Sequence, residues 1–254
     1  MSTIHKKVKT AVILAAGMGT RLRSIIGEHP KGALEIGGSP LIIHSLQKLQ
    51  KAGISKIFLV VGYKRDNYDK LLADVSPVCE LIENPDYRRT GSMHSLYLAK
   101  ELLNEDFLLL ESDILYEFGC LSALLDTPSA NAVLLSALTG AGDEVYVYGS
   151  AGRLSAISKL KKASQLLGEL VGISKISCDL YKSMCSYYEH HVPFPAQYHY
   201  EDCLSDISQT QVIPVLKHEQ LVWTEIDDPS HYQRAVNVVY PLIVEKEKHL
   251  DYGN

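Results

Sequence analysis

Lys9-Thr10-Ala11-Val12-Ile13-Leu14-Ala15-Ala16-Gly17-Met18-Gly19-Thr20-Arg21-Leu22-Arg23 is the stretch on which the fold turns. From Lys9 to Ala15 it is a short, largely apolar run, as expected of a strand buried on both faces of a sheet. A glycine loop follows at once, where backbone amides can point at phosphate oxygens. Gly17 and Gly19 permit close approach, Arg21 adds a planar donor fork, and Lys31 after Pro30 supplies a second positive charge. The same glycines would also serve a plain strand-to-loop turn.

Outward from this loop, strand-like and helix-like segments alternate, which predicts an α/β fold with a largely parallel sheet covered by helices on both faces. Leu41 to Ala52 has the apolar spacing of a helix stopped by Gly53, and Lys56 to Gly62 is a second strand. Asp66 to Ala73 reads as a helix, Val78 to Ile82 as a strand and Ser92 to Leu103 as a helix capped by Ser92. Phe107 to Glu111 is a strand that ends at Glu111-Ser112-Asp113, so carboxylates stand at its carboxyl end. Later the pattern turns hairpin-like, with runs Ala132 to Ala137 and Glu144 to Gly149 around Gly140 and Gly142, then a Gly152-Arg153 turn before Leu154 to Ser158. Tyr187 to His199 reads as irregular because of Pro193 and Pro195. Leu221 to Ile226 is a last strand, and Pro229 to His249 a long terminal helix. With no linker or repeat in view, residues 1–254 are expected to form a single domain.

The 254 residues are 46% hydrophobic and 22% charged, an ordinary globular balance. A net charge of -5 argues against the broad basic surface of a nucleic-acid binder. Five cysteines without a CxxC pair favour reduced thiols over a disulfide framework or a zinc site. No apolar stretch is long enough for a membrane span or a signal-peptide core, so a cytoplasmic protein is expected. Neither a P-loop nor a G-x-G-x-x-G dinucleotide fingerprint is present. Adjacent His190 and His191 do not share a face and no His-x-x-x-His pair occurs; Ser92 with His94 lacks a nucleophile elbow.

Leu-Ala-Ala-Gly-x-Gly-Thr-Arg at 14–21, followed by Pro30-Lys31, resembles the signature of the sugar-nucleotide and choline-phosphate nucleotidyltransferase superfamily. The likeness continues through residues 30–42, Val60-Val61-Gly62-Tyr63, Thr90-Gly91-Ser92-Met93-His94-Ser95-Leu96, Glu111-Ser112-Asp113 and Glu225-Ile226-Asp227. Pro30-Lys31-Gly32 and Thr90-Gly91-Ser92-Met93 most resemble cytidylyltransferases acting on 2-aminoethylphosphonate, with phosphocholine cytidylyltransferases next. The resemblance implies a Rossmann-like nucleotidyltransferase fold with a mixed, mostly parallel sheet and a small β-rich acceptor subregion. It also implies CTP as donor, Mg²⁺ as cofactor and a small phosphonate or phosphate acceptor, with neither nucleic acid nor membrane as partner and a homodimer left open. A sugar-1-phosphate nucleotidyltransferase and a nucleotide-binding regulatory module without catalysis are the alternatives.

By the same resemblance, nucleotide binding falls to Leu14, Ala15, Ala16, Gly17, Gly19, Thr20, Arg21, Lys31, Gly91 and Ser92, and catalysis to Arg21, Lys31 and Lys159. Asp113 and Asp227 are the implied metal ligands, with Asp228 beside them as a rival. Either of Asp227 and Asp228 could instead cap a helix before Pro229, Glu111 could hold the metal through water but reads better as a solvated strand end, and Lys159 could belong to a basic turn with Lys161 and Lys162. An aminophosphonate acceptor carries a cation, so its pocket should offer carboxylates or aromatic faces. Ser92, Met93, Glu169, Tyr200, Glu201 and Asp202 are the acceptor candidates, with Tyr198 nearby; exposed acidic loops and packing tyrosines are the other reading of the acidic and tyrosine residues.

Overall fold

The computed structural model describes residues 7–73, 79–162 and 165–248. The chain opens with β1 (Thr10–Ala15), α1 (Arg23–Ile26), the two-residue strands β2 (Glu35–Ile36) and β3 (Ser39–Pro40), and α2 (Leu41–Lys51). Next come β4 (Lys56–Val61), α3 (Arg65–Leu72), β5 (Cys79–Glu83), α4 (Ser92–Tyr97), β6 (Phe107–Glu111), β7 (Ile114–Tyr116) and α5 (Gly119–Asp126). The later part carries β8 (Ala132–Ser136), β9 (Tyr146–Ser150), β10 (Arg153–Ser158), β11 (Leu166–Ile176), α6 (Cys178–His191), α7 (Tyr200–Ile207), β12 (Val215–Lys217), β13 (Trp223–Glu225), α8 (Pro229–Arg234) and α9 (Tyr240–Glu247).

β6, β1, β4 and β5 lie side by side in parallel, and β1 at their centre is buried along its whole length. Because side chains alternate across a strand, the two faces of this sheet build two cores. Val12, Leu14, Phe58 and Val60 meet Leu96, Tyr181, Met184 and Leu204 from α4, α6 and α7 on one face. Ala11, Ile13, Ile57 and Leu59 meet Ile42, Leu46, Tyr68 and Leu121 from α2, α3 and α5 on the other. The expected α/β architecture, with helices on both faces, is the observed one. Antiparallel β11 then extends the sheet from β6 and recruits both β8 and β9, which makes the sheet mixed.

Several local expectations change. The runs at 132–137 and 144–149 do not pair with each other; both pair with β11, while the true hairpin joins β9 and β10 through Ala151 and Gly152, both at positive φ. β11 itself has no legible alternation, since Gly168 and Gly172 interrupt it and most of its length is buried on both faces. Tyr187 to His191 is helical, because α6 starts from the Ser177 cap and its buried stripe Leu180, Tyr181, Met184, Cys185 and Tyr188 carries it forward; only 192–199 is irregular. α4 stops at Tyr97, short of Leu103. The terminal helix is broken by a π-turn at Ala235–Val239 ahead of Pro241, which has no N–H to continue the ladder. Val78 and His249, in the expected strand and terminal helix, fall outside the described residues.

Candidate active site

A cavity of about 680 Å³ opens at the carboxyl ends of β1, β5 and β6, where loops can approach a ligand with free backbone groups. Leu14, Ala15, Ala16, Gly17 and Gly19 form one wall. Gly19 is in the left-handed region at φ +57°, and a Cβ there would stand 2.7 Å from Lys31 Cγ, so the glycine both makes the turn and seats the lysine. Thr20 is exposed beside this wall and begins a 3₁₀ turn that carries Arg21 back towards the acidic centre.

That centre is assembled by strand pairing. β7 and β13 run antiparallel with Ile114 opposite Glu225, and Ile226 N–H donates to the Asp113 carbonyl at 2.9 Å. Asp113 and Asp227, far apart in sequence, are thereby held around one ammonium: Lys31 Nζ donates to Asp113 Oδ2 at 2.8 Å and also to Asp227 Oδ1. Arg21 donates to Asp227 Oδ2 from the exposed side. Burial opposes charge on Lys31, yet Asp113 and Asp227 outweigh it and hold the ammonium above the ordinary lysine range. Burial likewise works against the Asp227 carboxylate, and Lys31 and Arg21 reverse this to hold its pKa below the usual value.

More carboxylates crowd in. Oxygens of Glu111, Asp113 and Glu225 lie within 4.8 Å of one another, as do those of Asp143, Glu225 and Asp227. Glu225 is pushed up to about 10, first by burial and then by Asp113, Glu111 and Asp227. A concentration of hard carboxylate oxygens with excess negative charge suits a divalent cation such as Mg²⁺. Asp228 faces elsewhere: it caps α8, accepting from Ser230 N at 2.8 Å and His231 N at 2.9 Å.

The opposite end of the cavity is built on α4 and α7. Gly91 lets the segment before α7 dock closely, since a Cβ there would lie 2.3 Å from the Tyr198 carbonyl oxygen. Ser92 Oγ accepts from Tyr200 N at 3.1 Å and donates to Glu201 Oε2 at 3.4 Å. Glu111 is no solvated strand end: Tyr200 Oη donates to its Oε1 at 2.5 Å, and burial raises its pKa well above the carboxylate range. Burial, with Asp202 beside it, also moves Glu201 up to about 7. Asp202 lines the cavity while accepting from His199 N at 2.8 Å. Lys159 is exposed at the same end, just past β10.

Two acceptor candidates lie off this cavity. Met93 is fully buried in the core beside Val12 and Leu96. Glu169 is buried and accepts from Thr139 N at 2.6 Å and Thr139 Oγ1 at 3.0 Å, which ties down the 137–145 loop. That loop delivers Asp143, which no sequence signal marked. Glu225 was not singled out, although it stands in the Glu225-Ile226-Asp227 motif two residues before Asp227. The Glu111–Tyr200 pair depends on long-range packing of α7 and carried no local signal.

Among the described residues no helix is long and apolar enough to cross a membrane. A CMP-5'-(3-aminopropyl)phosphonate synthase from Streptomyces rubellomurinus is 35% identical over 128 residues, 50% of this chain and 20% of that protein. A 2-aminoethylphosphonate cytidylyltransferase from Lancefieldella rimae is 33% identical over 95 residues, 37% of this chain and 38% of that protein. The matched region thus spans well under two thirds of either relative. In fold, the chain superimposes on the inositol-1-phosphate CTP transferase from T. maritima with a TM-score of 0.81 at 22% identity, covering 96% of this chain and 98% of that one. Residues 11–175, more than half of the sequence, match the MobA-like NTP transferase domain, and the chain belongs to that family.

Proposed function

We propose that this protein is a cytidylyltransferase that moves CMP from CTP to 2-aminoethylphosphonate, giving CMP-2-aminoethylphosphonate and pyrophosphate. The observation that carries the reading is the convergence of Lys31, Asp113 and Asp227 beside the glycine loop. The likeness to the two aminophosphonate-related relatives supports the choice of acceptor. A cytoplasmic role in phosphonate biosynthesis follows from this reading.

Asp113, Asp227 and Glu225 would hold Mg²⁺, which would supply positive charge to offset the negative charge that develops on the phosphate groups. The glycine-loop amides and Arg21 grip the triphosphate. Lys31 exchanges its carboxylate partners for phosphate oxygens as the nucleotide enters, and Lys159 reaches in from the acceptor end. Ser92, Tyr200 and Glu201 orient the acceptor. One phosphonate oxygen forms a bond to the α-phosphorus while the bond from that phosphorus to the bridging oxygen breaks, and pyrophosphate leaves with the electron pair. The attacking oxygen is already anionic at neutral pH, so positioning and charge neutralisation carry the rate and no general base is needed.

The test is pyrophosphate release with Mg²⁺ across CTP, UTP, dTTP and GTP, each with 2-aminoethylphosphonate, phosphocholine or glucose 1-phosphate. Release from CTP with 2-aminoethylphosphonate is expected to dominate. Preference for a sugar phosphate with another triphosphate would overturn the assignment, and silence throughout would favour a regulatory nucleotide-binding module.

A further inference from the structure

We infer that Glu111 and Glu201 together receive a primary ammonium group on the acceptor, and that this pair makes the enzyme reject a quaternary amine; the inference rests on the transferase reading above.

The two carboxylates stand in the wall of a cavity whose other end is built for anions. The side chains that donate to them are hydroxyls, Tyr200 to Glu111 and Ser92 to Glu201. Among the described residues no lysine or arginine forms an ion pair with either, although the neighbouring acids Asp113 and Asp227 are both paired. Lys159 lines the same end and lowers the Glu201 pKa from a distance without forming an ion pair with it. A purely anionic acceptor would add charge repulsion to this end, whereas a zwitterion brings the missing cation with it.

Geometry fixes which cation. The Tyr200 ring is buried and offers the site its hydroxyl, which is spent on Glu111 Oε1. Glu111 Oε2 lies against Gly172, where a Cβ would stand 2.9 Å away, so the glycine leaves the carboxylate room beside β11. Tyr68 is also buried, and Tyr87 stands apart against Gly62 and Ala16 at the glycine-loop wall. Among the described residues, the rings that line the cavity nearest the two glutamates are Tyr200 and His199, and both are engaged through their polar atoms, Tyr200 with Glu111 and His199 with Ser92. Carboxylate oxygens on one side and the Ser92 hydroxyl on another instead match the three N–H donors of a primary ammonium. Tyr200 acts here as a positioning residue, and Glu111 and Glu201 set specificity.

The experiment measures KM and kcat with CTP and Mg²⁺ for three acceptors: 2-aminoethylphosphonate, ethylphosphonate, which lacks the amine, and phosphocholine, which carries a quaternary one. For the unaltered protein, both analogues are expected to show KM at least about tenfold higher than 2-aminoethylphosphonate, the scale of a charge-assisted hydrogen bond. Glu201→Gln should raise the KM for 2-aminoethylphosphonate about tenfold and narrow its advantage over ethylphosphonate, with the KM for CTP little moved. Tyr200→Phe should shift acceptor KM in the same sense by a smaller factor. Equal KM for 2-aminoethylphosphonate and ethylphosphonate, or a preference for phosphocholine, overturns the inference while leaving cytidylyl transfer standing. Absence of pyrophosphate release with every acceptor overturns the transferase reading and this inference with it. The comparison of acceptors on the unaltered protein needs no variant, so a variant that fails to fold does not remove the test.

Discussion

Lys31 Nζ sits between Asp113 and Asp227, donating to Asp113 Oδ2 at 2.8 Å and to Asp227 Oδ1, and so joins carboxylates that stand just before β7 and just after β13 through a single charge. The ladder that pairs Ile114 with Glu225 makes this possible, so the geometry is set by backbone pairing and does not depend on the ion pairs themselves. Where one ammonium now balances several acids, a divalent cation and a triphosphate can divide the same charges between them.

Asp227 and Asp228 should separate cleanly under substitution. Asp227→Asn removes a buried carboxylate proposed to hold the metal and is expected to lower kcat by about a hundredfold or more with the fold retained. Asp228→Ala removes the α8 cap and should cost about 1 kcal/mol of stability while leaving kinetics nearly intact. Paired steady-state kinetics and thermal unfolding measure both; a large kinetic loss on Asp228→Ala would reassign the ligand.

Lys31→Ala should act chiefly on kcat, since leaving-group charge is greatest in the transition state, with a loss of about a hundredfold and a smaller rise in KM for CTP. Without Mg²⁺ the same variant leaves Asp113 and Asp227 without their shared cation and should unfold at lower temperature. Added Mg²⁺ should recover much of that stability, and a melting curve with and without the ion reads it directly.

Acidity in the site gives a signed pH dependence. Glu225 is raised to about 10 and Glu201 to about 7, so the folded protein binds more protons than the unfolded chain above the ordinary glutamate pKa. Metal-free stability should therefore fall as pH rises from about 5 to 9. Asp227 is shifted the other way, and its contribution disappears only in acid. Mg²⁺ binding should release protons near neutral pH, because the ion displaces the proton that burial and neighbouring acids keep on Glu225. Calorimetric titration in buffers of different ionisation enthalpy would show this; a buffer-independent heat would contradict it.

Gly172 is predicted to be intolerant of substitution. It lies at φ +80° in the β11 irregularity, and a Cβ would meet Glu111 Oε2 at 2.9 Å. Gly172→Ala should cost about 1–3 kcal/mol, measured by denaturant unfolding, and displace Glu111.

The parallel half of the sheet could be read from residues 9–111 because buried strands, helical spacing and glycine stops all agree there. The glycine loop, Lys31, Asp113 and Asp227 were legible as motifs, and Glu225 stood in the same motif as Asp227 without being singled out. β11 was not, since two glycines and burial on both faces erase its pattern. The acceptor end was only half legible: Glu201 and Tyr200 stood out by charge and type, whereas Glu169 resembled them in sequence yet is spent on Thr139. Glu111 passed for a strand end because its partner Tyr200 arrives from a helix that the sequence pattern did not reveal.

Crystals grown with Mn²⁺ and a non-hydrolysable CTP analogue give the most direct test, since Mn²⁺ supplies an anomalous signal in place of Mg²⁺. The account predicts an anomalous peak within about 2.0–2.3 Å of oxygens from both Asp113 and Asp227, with Lys31 turned onto phosphate. A peak elsewhere, or Lys31 still bridging the two aspartates with nucleotide bound, would contradict it.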